Sequence, residues 1–92
     1  AIHDLGNDFS AIQVYPNLVI DDFILEMEAS MDVDFTVNVI TVSGQSLGEI
    51  YSGRLSKGQL FKKKFELNYA SGIYFIQVQS AGSFVNFKLI KQ

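Results

Sequence analysis

Apolar residues recur at every second position through most of this chain, the period of strands that bury one face and wet the other. Val33, Phe35, Val37 and Val39 form the longest such run, in a strand predicted over 33–42. Further strands are predicted over 11–15, with Ile12 and Val14 on one face, and over 23–28, with Phe23, Leu25 and Met27 inward. A short one follows over 49–53, then 60–67, where Phe61, Phe65 and Leu67 share a face while Lys62, Lys64 and Glu66 point to water. The last two are 73–79, with Tyr74, Ile76 and Val78 inward, and 83–91, with Val85, Phe87 and Leu89 inward.

Turn residues separate these runs. Pro16 lacks the N–H that would continue a ladder, Ser43-Gly44-Gln45 supplies a hairpin, and Ala81-Gly82 a tight turn. Seven short strands at this spacing without a helical period predict an all-β fold, a seven-stranded antiparallel immunoglobulin-like β-sandwich, with a five-stranded barrel as the alternative. Ile24, Ile40, Val42, Phe75 and Phe84 are left on outer faces. Scattered singly they mean little, but two or more together would form a docking patch or a seat for a neighbouring domain.

The chain has 92 residues, 48% of them hydrophobic and 18% charged, which fits one globular domain and excludes disorder. A domain this small buries only about 60 to 65% of its unfolded surface, enough for one core but not for a core and a deep catalytic cleft. It has no cysteine, and His3 is its single histidine, so neither a disulfide framework nor a thiolate or histidine metal site is available. Packing must hold the fold.

Charge is divided along the sequence. Residues 1–49 carry nine acidic side chains and no Lys or Arg, whereas 50–92 carry all seven basic residues against Glu66 alone. Either the halves interleave in space and soften each other, or the molecule has one acidic and one basic face that orients a partner. The chain starts at Ala1 without an initiator Met or an apolar leader, so a fragment of a longer precursor is expected. Residues 67–87 carry no charge, yet Asn68, Gln77, Gln79 and Asn86 exclude a membrane helix, and the chain is too short for an outer-membrane barrel. No membrane insertion is expected.

Catalytic arrangements are lacking. Asp21 and Asp22 sit in a wet turn, Ser43 and Ser71 lie outside any nucleophile elbow, and Ser56-Lys57-Gly58 lacks the spaced glycines that cradle phosphate. Asp32 with Asp34, or Asp4 with Asp8, offer oxygen ligands for calcium but match no binding loop. Lys62, Lys63 and Lys64 between Phe61 and Phe65 have the basic and aromatic mix of single-strand binders, but the alternation turns those rings into the core and the chain is acidic. Neither cofactor nor nucleic acid is expected, and no enzyme.

What remains is an ordered set of motifs: Val14-Tyr15-Pro16-Asn17, Ser43-Gly44-Gln45, Ser71-Gly72-Ile73-Tyr74 with Val78, Gly82, and a terminal Lys88-Leu89-Ile90-Lys91-Gln92. In this order and spacing the chain resembles the C-terminal sorting domains, type A, of type IX secretion system cargo. The resemblance runs from about Ile12 to the end. It departs from the family at Leu18, where a second Pro is usual, and at Tyr69, where Leu is frequent.

The resemblance implies a sandwich at the end of a larger secreted protein that reaches the periplasm by a separate N-terminal signal. There an outer-membrane translocon and its shuttle protein recognise the domain and pass it through; a cell-surface sortase typically removes it and joins the cargo to anionic lipopolysaccharide. It also implies a linker from a preceding cargo domain over 1–11 and the sorting domain over 12–92. Lys88, Leu89, Ile90, Lys91 and Gln92 are the candidate recognition residues. Tyr15, Pro16, Asn17, Gly44, Gln45, Gly72, Tyr74, Val78 and Gly82 are expected to keep the fold, with Gly44 and Gly72 at positions where a side chain would clash, Gly44 in a turn that calls for tolerance of positive φ and Gly72 in a backbone region denied to β-branched residues. An adhesive or carbohydrate-binding sandwich is the alternative, with Tyr51, Phe75 and Phe84 as its candidate row of exposed rings; a dimer through edge strands also remains open.

Overall fold

The alternation is realised as eight strands in the computed structural model, which describes residues 8–81 and 83–92. They are β1 (Phe9–Tyr15), β2 (Leu18–Val19), β3 (Asp22–Ala29), β4 (Val33–Thr41), β5 (Ser46–Leu55), β6 (Leu60–Glu66), β7 (Gly72–Ser80) and β8 (Ser83–Lys91). One sheet has the order β1-β3-β6 and the other β2-β8-β7-β4-β5. Their apolar faces meet in a single core. Phe23, Leu25 and Met27 of β3 face Val37 and Val39 of β4, Ile76 and Val78 of β7 and Leu89 of β8, all essentially without exposure. Each such side chain contributes about 1.5 to 3 kcal/mol relative to leaving it in water.

Along one flank the two sheets are bridged by rings. Phe35 meets Phe61 edge-on at 5.3 Å, Phe61 meets Tyr51 at 5.4 Å, and Tyr51 meets Phe65 at 5.9 Å, which in turn stacks on Phe23 at 5.5 Å. Lys63 alternates inward between Phe61 and Phe65 yet remains exposed, because its stem runs out between the sheets and carries Nζ to 5.6 Å from the Tyr51 ring and 5.7 Å from that of Phe65.

Three expectations are corrected. The strands number eight, not seven, and one pairing is parallel: Leu18 and Val19 lie beside Ile90 and Lys91. Pro16 does end β1, but the chain then crosses to the other sheet, and two residues are too few to register as alternation. Strand β5 covers Ser46–Leu55 rather than 49–53, since bulges opposite β4 put Leu47, Ile50 and Tyr51 all against the core and break the period. Nor does crowding explain the glycines. A Cβ on Gly44 would meet nothing within 4 Å, and on Gly72 nothing closer than 3.9 Å.

Backbone conformation is the reason at both glycines, with φ of +94° at Gly44 and +156° at Gly72. Gly44 closes a three-residue hairpin, its N–H donating to Thr41 O (2.9 Å) while the Thr41 N–H donates to Gln45 O (2.8 Å). The two charged halves interleave. Glu26 of β3 lies opposite Lys62 of β6, Lys64 reaches Asp22 at 3.8 Å, and Arg54 pairs with Asp34 at 3.0 Å. His3, Asp4 and Gly82 lie outside the described residues.

Candidate functional site

Motifs far apart in sequence gather at one end of the five-stranded sheet. Tyr15 ends β1 and donates its hydroxyl to Glu26 Oε1 (3.2 Å), after which Pro16 and Asn17 carry the chain across to β2. The Asn17 carbonyl accepts the Ile90 N–H (2.8 Å), and the Val19 carbonyl accepts that of Gln92 (2.9 Å). Gly72 stands opposite Lys91, and Tyr74 lies between Leu89 on one side and Thr41 on the other, where the hairpin of Gly44 and Gln45 begins. Val78 belongs to the core instead, between Val37 and Val85.

Tyr74 pins the approach to β7. Its ring is buried against Tyr69 at 5.5 Å, and its hydroxyl donates to the Ala70 carbonyl four residues upstream at 2.6 Å. The five terminal residues divide by role. Leu89 is fully buried; Lys91 donates through Nζ to the Ile20 carbonyl at 2.7 Å; Lys88, Ile90 and Gln92 are exposed. Lys88 and Ile90 share the outer face by period two.

Among the described residues no three His, Cys, Asp or Glu side chains converge on a metal position. An open groove of about 990 Å³ lies toward the other end, lined by residues that include Asp32, Asp34, Arg54 and Ser80. Its carboxylates are engaged: Asp32 accepts the Lys57 N–H (2.9 Å) and Asp34 pairs with Arg54. The three rings considered for carbohydrate do not form a row. Tyr51 is part of the inter-sheet ring cluster beneath Lys63, while Phe75 opposes Lys88 and Phe84 opposes Gln79 farther along the sheet. Leu18 and Ile73, exposed beside Ile90, were not among the candidates. The alternation held the signal for Ile73, which precedes inward Tyr74; nothing periodic marked Leu18.

A family model described as "Secretion system C-terminal sorting domain" matches residues 13–92. No curated protein matches the chain. Among solved structures it is similar to the crystal structure of dimeric latent PorU from Porphyromonas gingivalis, with a TM-score of 0.66 and 15% identity over 87% of this chain. The likeness covers 9% of that much longer chain and concerns the fold.

Proposed function

The chain belongs to the family of secretion system C-terminal sorting domains, and on that premise we propose how its parts serve export. The domain is a sorting signal of the type IX system: it directs the protein that carries it outward, to the cell surface or beyond, through that system's machinery. Its work is to be recognised, and it performs no catalysis. The cargo precedes it, with a linker over 1–11 and the domain over 12–92; the burial of Phe9 in β1 favours a folded edge slightly earlier. The route runs through the periplasm, where an outer-membrane translocon and shuttle protein bind the domain, and a surface sortase then removes it.

Within residues 88–92, Lys88, Ile90 and Gln92 meet the machinery, while Leu89 and Lys91 hold the strand in place. The sandwich is immunoglobulin-like. The order β1-β3-β6 over β2-β8-β7-β4-β5 supports that reading, as does the Tyr74 hydroxyl bonded back to Ala70, the corner such folds make near the start of their sixth strand. Any edge-strand dimer would use β1, whose seven residues carry no charge.

One observation carries the proposal: the family match takes in all the motifs, and four of them converge on one end of the fold. The test is a fusion of this chain to a periplasmic reporter in matched strains with and without the type IX translocon. The reporter is expected outside the cell only when the translocon is present, and equal retention in both strains would overturn the reading.

A further inference from the structure

The outer face of the five-stranded sheet is uneven. Leu18, Ile90 and Ile73 stand directly opposite one another across β2, β8 and β7, and are 52%, 40% and 36% exposed. The next row along the same face is Lys88, Phe75 and Ile40. Beyond it the face turns polar, with Asn86, Gln77 and Asn38 in register. Apart from Phe84, which stands alone beside Gln79 beyond that polar row, the apolar residues of this face lie at the end where the motifs converge. A solvated sheet face alternates to polar residues, and a contiguous apolar patch on a small domain marks a surface that is covered in use.

We infer that this patch is a docking surface for a separate folded protein that presents an apolar area with a carboxylate opposite Lys88. Lys88 is the sole charge in the two rows and makes no ion pair with any described residue. A cation set among Phe75, Ile90 and Ile73 loses water when the patch is covered and then requires an anionic partner. A second copy of this chain in a two-fold contact does not supply one: the patch meets itself, which brings Lys88 toward its own counterpart with no carboxylate in either row.

Asp8 is bonded to Ser80 at the far end of β7, so the described fold begins a strand's length away from Gly72 and Ile73, about 25 Å at 3.3 Å per residue. That offset favours an independent protein over the preceding cargo as the occupant. Resting on the reading above, it is a component of the export machinery, and the recognised feature is a composite of β2, β7 and β8 rather than the terminal residues alone.

The test uses the reporter fusion in the translocon-positive strain. Leu18→Ser with Ile73→Ser, and separately Lys88→Glu, are expected to lower export about tenfold or more while the melting temperature stays near the parent's, tenfold being the loss of a single good contact. Phe84→Ser, at an equally exposed apolar site on the polar part of the same face, should be exported like the parent. A photo-cross-linking residue at position 73, but not at 84, should capture a translocon component in cells; this readout decides the matter if the serine variants unfold. Patch variants exported as well as a translocon-dependent parent would overturn the inference, as would cross-links from 73 to a second copy, the cargo or lipid. A parent that ignores the translocon would instead overturn the proposed function.

Discussion

Gly72 opens β7 at φ +156° with space around it, so a side chain there costs backbone conformation and not a clash. Gly72→Val should lower stability by more than about 1 kcal/mol, and Gly72→Ala by nearly as much, in urea or thermal unfolding. If crowding were the reason, only the larger residue would suffer. At Tyr74 the buried ring was legible in the alternation, whereas the Ala70 acceptor depended on a loop path the pattern does not encode. Tyr74→Phe keeps the ring and should cost about 0.5 to 1.5 kcal/mol. Lys91 illustrates the limit of period-two reading at a strand end. It passes the last inward apolar residue, as expected, yet its ammonium folds back to the Ile20 carbonyl. Replacing Lys88 and Lys91 together therefore mixes the proposed recognition with a local tether, and Lys88 alone is the cleaner probe.

Among the elements, long alternating strands were readable and short or bulged ones were not. Strand β4 follows the predicted inward set Val33, Phe35, Val37 and Val39 residue for residue. Strand β2 has no pattern to read, because its two residues are fixed by β8 and by the buried Val19. Val19→Ala should cost about 2 kcal/mol through lost burial and the cavity left behind. It should also speed hydrogen exchange at the amides of Ile90 and Gln92, which β2 and the residue before it hold. Edge β6 is guarded differently. Lys62, Lys63 and Lys64 give it three adjacent cations, one of them on the inward-facing side, and such charges discourage a further strand from pairing there. Replacing all three by Thr should leave the core intact and produce concentration-dependent association in light scattering; a strictly monomeric variant would remove this role.

At the scale of the whole molecule, the sequence's division into acidic and basic halves disappears because the topology sets β3 beside β6 and β4 beside β5. The resulting pairs are exposed, as at Arg54 and Asp34, and such pairs contribute about 0 to 1 kcal/mol each. The fold depends instead on apolar closure, and this ties signal to structure. Strand β8 is paired on both sides and gives Leu89 to the centre of the core, so removing residues 88–92 deletes a fully buried leucine, the partner of β2 and the strand facing Tyr74. Loss of one such leucine side chain alone costs about 2 to 5 kcal/mol against a total of about 5 to 15 for a domain. The truncated chain should therefore lose its cooperative melting transition, and its failure to be exported would report unfolding as much as missing contacts. Lys88→Ala should retain the transition while export falls; Lys62→Ala with Lys64→Ala, which removes charge from the other sheet, should retain both. Equal export of Lys88→Ala and parent, measured alongside an unfolded truncation, would mean that the machinery reads the folded sandwich without its terminal cation.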